Sequence, residues 1–336
     1  MAATVRDVAK RANVSLGTVS RYLNGYQLRE DNRNKVEQAI QALGFKENML
    51  AQAVRRNRSM MIGVIIPQYR AVFFMAVTTI LEQIFEQKNY SLLLCNYEND
   101  RHRLQQKLRF AKERLIDGLI VFPSYADAES LPILEEFAAE DIPVVFIDQL
   151  LPGFETDSVI VDNAHASFRA VEQLVFNKHT RIAIVNGPPD VYVYRERLRG
   201  YYDAMRTYNL PVESGWVKEG SFVEAGEYVM IESLFDLPQP PTAIYATNYF
   251  ATIGTVLALH ELRLKIPNDV SVIGFDRFDP IDVIEPPLTL VEQPIERMAQ
   301  TAADLLLQRM RGDHKDFPQM VTLNTKMVMR ESVRAL

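Results

Sequence analysis

Residues 4–25 read T-V-R-D-V-A-K-R-A-N-V-S-L-G-T-V-S-R-Y-L-N-G. Val5, Val8, Ala9 and Ala12 fall at i, i+3, i+4 and i+7, the spacing that gives a helix one apolar face. Thr4 stands where a cap is needed, and Asp7 in the first turn suits the positive end of the helix dipole. Ala12-Asn13-Val14 makes a tight turn. Ser15 then caps a second helix running to Leu23, and Asn24-Gly25 stops it. Val19, Tyr22 and Leu23 share one arc of that helix, facing the first; Leu16, Gly17, Ser20 and Arg21 share another, facing outward. Val36, Ala39, Ile40 and Leu43 repeat the apolar spacing in a third helix, which Gly44 terminates. Two short helices across a tight turn, the second with an exposed first turn, form the helix-turn-helix layout, whose second helix enters the DNA major groove. A plain three-helix bundle would share this spacing, so charge has to separate the two.

The 336 residues hold 37 Lys and Arg against 43 Asp and Glu, a net charge of −6. The first 58 residues carry eleven basic against five acidic side chains, or +6; the other 278 carry −12. A basic N-terminal piece on an acidic remainder favours the DNA reading, because phosphate neutralisation supplies most non-specific affinity. An apolar fraction of 48% excludes a disordered chain. Cys95 is the single cysteine, so no intrachain disulfide can form. The charged N-terminus does not read as an export signal, and the longest apolar run, Met60–Pro67, falls far short of the ~18 residues of a membrane span. A soluble, cytoplasmic protein with no membrane partner is expected.

From residue 60 the pattern changes to short β-branched runs alternating with amphipathic helices. Strands are expected at 61–66, 91–95, 118–122, 144–147, 158–161, 182–185, 243–246 and 270–275. Helices are expected between them, for example over 71–87, 104–114, 168–176, 197–208, 225–235 and 251–262. The alternation implies α/β architecture with doubly wound parallel sheets, and the strand count implies two lobes. Ligands in such lobes bind beyond the carboxyl ends of the strands, so a cleft between the lobes is the expected site.

Enzyme signatures are missing from the sequence. It contains no G-x-x-x-x-G-K-[ST], G-x-G-x-x-G or G-x-S-x-G, and its five histidines form no H-E-x-x-H. His260-Glu261 reads as a helix-surface pair. Asp276, Asp279 and Asp282 are separated by Phe278, Pro280 and Ile281, not by further ligand oxygens. No catalytic residue, metal or cofactor is implied.

The quoted stretch, with its D-V-A, A-x-V-S, T-V-S-R and x-L-N elements, resembles the headpiece of the LacI/GalR family of bacterial transcription regulators. Ile62-Gly63-Val64-Ile65-Ile66-Pro67 resembles the start of that family's core, and the likeness extends over all 336 residues. It implies a helix-turn-helix headpiece over 1–46, a hinge helix and linker over 47–59, and a periplasmic-binding-protein-like core over 60–336. Lobe 1 would be about 60–160 and 293–320, and lobe 2 about 161–292 and 321–336. DNA contacts would come from Thr4, Ser15, Leu16, Gly17, Thr18, Ser20, Arg21 and Asn24, with Arg21 reaching a guanine. In the hinge they would come from Asn48, Ala51, Val54 and Arg55. The sequence departs from the family there: Val54 stands where relatives place a wedging Leu, and Glu47 where they often have Pro.

By the same resemblance, Phe73, Phe74, Asp148, Arg197, Phe222, Asn248, Asp276 and Gln293 would line the ligand cleft. Of Phe73 and Phe74, at most one is expected to point at the ligand. Tyr249 replaces the family's usual Asp and would enter either the cleft or a dimer surface. Rings together with Asp, Asn and Arg suit a polyhydroxylated effector such as a sugar, sugar acid or sugar phosphate. The partners implied are a double-stranded DNA operator, a small-molecule effector and a second copy of the chain, with a phosphoprotein coregulator as a further option within the family. A transport solute-binding protein would explain residues 60–336 but not the basic first 58. A sugar-acting enzyme would need a nucleophile–base pair that the sequence does not offer.

Overall fold

The computed structural model describes residues 3–23, 26–45, 58–123, 128–220, 228–277 and 284–336. Asn24, Phe222 and the hinge residues Glu47, Asn48, Ala51, Val54 and Arg55 lie outside the described residues. The chain divides into two compact units, Met1–Ser59 and Met60–Leu336.

In the first unit α1 (Val5–Ala12), α2 (Leu16–Leu23) and α3 (Glu30–Leu43) enclose a core of Val8, Ala9, Ala12, Val19, Val36 and Ala39. Tyr22, Leu23, Ile40 and Leu43 pack around it, as the periodicity requires. Thr4 and Asp7 cap α1 reciprocally: the Asp7 N–H donates to Thr4 Oγ1 at 3.3 Å and the Thr4 N–H to Asp7 Oδ2 at 2.9 Å. Asn13 closes α1 in the left-handed conformation (φ 51°), and Gly44 closes α3 the same way (φ 55°). Tyr22 donates its hydroxyl to Glu37 at 3.1 Å, tying α2 to α3.

The second unit runs β1 (Met61–Ile66), α4 (Val72–Glu86), β2 (Ser91–Asn96), α5 (Arg101–Glu113), β3 (Gly118–Val121), α6 (Leu131–Ala139), β4 (Val144–Ile147) and β5 (Asp157–Val161). It continues with α7 (Asn163–Phe176), β6 (Ile182–Asn186), α8 (Tyr192–Thr207), β7 (Val217–Glu219), α9 (Val229–Glu232) and β8 (Ala243–Ala246). The last elements are α10 (Tyr249–Glu261), β9 (Ser271–Phe275), β10 (Thr289–Glu292), α11 (Ile295–Met310), β11 (Met320–Leu323) and β12 (Lys326–Val328). Two six-stranded sheets result, in the orders β11-β5-β4-β3-β1-β2 and β12-β10-β9-β8-β6-β7. Among the described residues, every pairing is parallel except β10 with β12. Their central strands are buried on both faces, which is why they read as unbroken apolar runs.

The chain passes from one sheet to the other at Asp162, at Gln293-Pro294 and at Asn324-Thr325. This corrects the expected lobe limits. Val161 and residues 321–323 belong to the first sheet, because β11 pairs with β5 from Met320↔Ser158 to Leu323↔Val161. Among the described residues, no helix is long and apolar enough to cross a membrane.

Candidate functional site

On the headpiece, Leu16 is 48% exposed, and Gly17, Ser15 and Arg21 are exposed beside it. Thr18 and Ser20 are half-buried, and Val19 is fully buried beneath them. Ser15 caps α2: its Oγ accepts from the Thr18 N–H at 3.1 Å and lies 2.9 Å from Thr18 Oγ1. Among the described residues, a Cβ added at Gly17 would meet only the Ser15 hydroxyl, at 3.7 Å, so the surface here is open to close approach by another molecule. Thr4, also exposed, holds Asp7 Oδ2 with its hydroxyl at 2.7 Å. The Thr4 hydroxyl and N–H hold the Asp7 carboxyl below its usual range.

In the larger unit, a cleft receives residues from both sheets. Phe73, Phe74, Asp148, Arg197, Asn248, Asp276 and Gln293 all line it, with Tyr249 beside them. Phe73 (6% exposed) belongs to the core of the first lobe and still contributes to the wall, as does the more exposed Phe74. The two rings pack edge-to-face on each other and on Phe122.

The two aspartates occupy equivalent places. Asp148 follows β4 and Asp276 follows β9, each the third strand from the same end of its sheet. Both adopt the left-handed backbone conformation (φ 72° and 69°). Each donates its N–H to the neighbouring strand, Asp148 to Val159 O at 2.8 Å and Asp276 to Val291 O at 2.9 Å. A strained backbone at a strand end aims a side chain out of the sheet, and aspartate tolerates that region better than most residues.

The two carboxyls differ in their partners. Asp276 accepts from Gln293 Nε2 at 2.7 Å and from the Tyr249 N–H at the start of α10. Among the described residues, the buried Asp148 Oδ1 has no hydrogen-bond partner, and neither has Gln293 Oε1. Burial pushes the Asp148 carboxyl up to about 6, against the pull of Arg197 and with some help from Asp276. Burial also raises Asp276, opposed by Arg197, Gln293 and the Tyr249 N–H.

Arg197 reaches the cleft from α8 and is 2% exposed. Its Nε donates to Asn163 Oδ1 at 2.8 Å and its Nη1 to the Thr247 carbonyl. The guanidinium lies 3.7 Å from the centre of the Phe275 ring. Gly200, one turn further along α8, allows this placement: a Cβ there would stand 2.1 Å from the Ala164 carbonyl of α7. Asn248 caps α10 through Oδ1, which accepts from the Ala251 N–H at 2.8 Å. Arg70 and Arg195 are exposed and form no part of the lining.

Sequence reasoning missed several parts of the cleft. Gln68, Asn99, Gln149, Pro188, Val191, Val193, Tyr194 and Phe250 also line it. Gln68, Gln149 and Pro188 follow expected strands within a few residues, and that position beyond a strand end was the signal available for them.

Residues 4–48 match the profile described as bacterial regulatory proteins, lacI family, and residues 171–333 match that of a periplasmic binding protein-like domain. The HTH-type transcriptional repressor PurR of Actinobacillus pleuropneumoniae serotype 3 (strain JL03) is 32% identical, over 99% of both chains. The repressor CytR of Escherichia coli (strain K12) is also 32% identical, over all of this chain and 97% of its own. A crystal structure of the Lac repressor dimer bound to operator and the anti-inducer ONPF superposes over the whole of both chains, with a TM-score of 0.88 at 24% identity. A complex of the transcriptional regulator CelR with cellobiose covers 98% of this chain and 99% of its own, with a TM-score of 0.73 at 25% identity. With end-to-end similarity to named repressors, the chain belongs to the LacI family of DNA-binding bacterial transcription regulators, which are not enzymes.

Proposed function

We propose that this protein is a ligand-responsive repressor of a carbohydrate or related catabolic operon, and that it binds a pseudo-palindromic operator as a homodimer. The headpiece residues Thr4, Ser15, Leu16, Gly17, Thr18, Ser20 and Arg21 meet the DNA. Ser15, Thr18 and Ser20 hold phosphates, and Arg21 reads a guanine edge. The observation that carries the sensor half of the reading is the cleft itself. Asp148 and Asp276 enter it from matching strand ends of two lobes, facing aromatic walls. A small molecule touching both lobes prefers one lobe arrangement, and that preference is what changes operator affinity.

The test is a coupling measurement. Sugars, amino sugars and nucleosides are screened by thermal shift, and operator affinity is measured with and without each stabilising compound. A change of roughly 5–150-fold in operator affinity is expected, and Asp276→Ala removes it. Operator affinity unmoved by every compound that stabilises the protein would defeat the reading.

A further inference from the structure

We infer that Leu16 reads the C5-methyl group of a pyrimidine in the major groove. Each half-site of the operator is then recognised at one position by thymine, or by 5-methylcytosine, through apolar contact. The inference rests on the reading of α2 as the helix that meets DNA. The early residues of such a helix reach base edges, and α2 opens with Leu16 and Gly17. Neither carries a side-chain donor or acceptor. Neither side chain can therefore read the hydrogen-bond pattern that tells one base pair from another in the major groove. The apolar feature of that groove is the thymine methyl, which cytosine lacks.

Leu16 is free for this contact. It is 48% exposed, while Val19 on the opposite arc of α2 is fully buried. Among the described residues, the headpiece core takes in Val19, Tyr22 and Leu23 from α2 but not Leu16. The cap of α2 comes from Ser15, so the leucine is not needed there either. An apolar side chain held out at the start of this helix gains only from a surface that covers it.

The neighbours leave the contact to Leu16. Ser15 Oγ faces the Thr18 N–H and lies 2.9 Å from Thr18 Oγ1, so these two hydroxyls satisfy each other within the first turn. Gly17 offers no side chain, which lets the backbone of that turn come closer to the base edges than any larger residue would allow. Close approach matters because carbon atoms gain from contact only within ~4–4.5 Å. Covering one methyl group is worth about a fourfold change in affinity.

The experiment starts from the inverted repeat that the purified full-length protein selects from random duplex DNA. Each thymine is replaced in turn, in both half-sites together, by deoxyuridine. This base keeps every hydrogen-bonding group of thymine and lacks only the methyl. One position should lose about 15-fold in affinity, from about fourfold in each half-site. The loss should vanish in Leu16→Ala, and at that position 5-methylcytosine should bind about 15-fold tighter than cytosine. The deoxyuridine duplexes leave the protein unchanged, and thermal melting checks that Leu16→Ala keeps its fold. Three results overturn this inference and leave the DNA reading standing: no position at which uracil costs affinity, a uracil penalty that persists in Leu16→Ala, or 5-methylcytosine binding no better than cytosine. Absence of any sequence preference overturns the DNA reading and this inference with it.

Discussion

Asp148 combines three costs at one position: a left-handed backbone, a buried carboxyl and an acceptor with no donor among the described residues. Such local strain is characteristic of sites kept for binding rather than for stability. Because burial raises its folded pKa to about 6 from an ordinary 3.8, the folded chain holds, between those pH values, a proton that the unfolded chain has lost. This group's contribution to stability therefore grows as pH falls from above 6 toward 4, and its ionised form opposes folding at neutral pH. Asp148→Asn should stabilise the ligand-free protein by about 1–3 kcal/mol at pH 7.5 and weaken effector binding. A urea titration of both proteins at pH 7.5 and 5 checks this, and the difference should shrink at the lower pH. A donor from the effector favours the ionised carboxyl, which Arg197 also favours and Asp276 opposes. Effector affinity should accordingly rise between pH 5 and 7 in the wild type and flatten in Asp148→Asn.

Arg309 shows the opposite use of buried charge. Its Nε and Nη2 bind Asp157 Oδ2 and Oδ1 at 2.7 and 3.1 Å, with both side chains essentially unexposed. The Gln319 N–H completes the carboxylate's partners at 2.7 Å. This pair locks α11 and β11 onto the first sheet, far along the chain from β5. Arg309→Ala leaves a buried carboxylate uncompensated and should cost about 3–5 kcal/mol in chemical denaturation. A loss under about 1 kcal/mol would mean that the site behaves as a surface ion pair.

At the scale of elements, the central strands and the headpiece were legible because burial on one or both faces leaves a periodic signal. The eight expected strands all form, with ends displaced by at most a residue. The strands β7, β10, β11 and β12 were not legible. They have only three or four residues, and β7, β11 and β12, at sheet edges, bury few side chains fully. Helix starts were misplaced for a different reason. α5 and α7 begin three and five residues before the expected Leu104 and Phe168, because Asp100 and Asp162 cap them by accepting from the Arg103 and His165 N–H groups. The apolar period begins only after the polar first turn, so periodicity alone starts the helix late. The cleft residues were visible through family resemblance, whereas their hydrogen-bond partners, such as Asn163 for Arg197, depend on helices α7 and α8 meeting. Gly200 is the contact that permits this meeting. Gly200→Ala should cost roughly 1–3 kcal/mol and weaken effector binding through the displaced Arg197, as followed by thermal melting and ligand titration.

At the scale of the molecule, charge is divided by task. The first 58 residues carry +6 and the remaining 278 carry −12. An acidic core keeps DNA contact confined to the basic arm, so an overall acidic composition and DNA binding are compatible. Affinity should fall steeply with salt, and its logarithm should be linear in the logarithm of salt concentration. Arg21→Ala should cost about 1–3 kcal/mol at the preferred site and relax the preference at one base pair. Loss of a phosphate contact would instead weaken all sequences about equally.

The central claim is that the exposed α2 surface, presented twice by a homodimer, reads a symmetric DNA site. Selection of binding sequences from a random duplex pool by the purified full-length protein tests it most directly. Enrichment of one inverted repeat is expected, with half-sites that each lose enrichment when Arg21 is replaced by Ala. Recovery of sequences with no two-fold symmetry, or no enrichment over the starting pool, would contradict it.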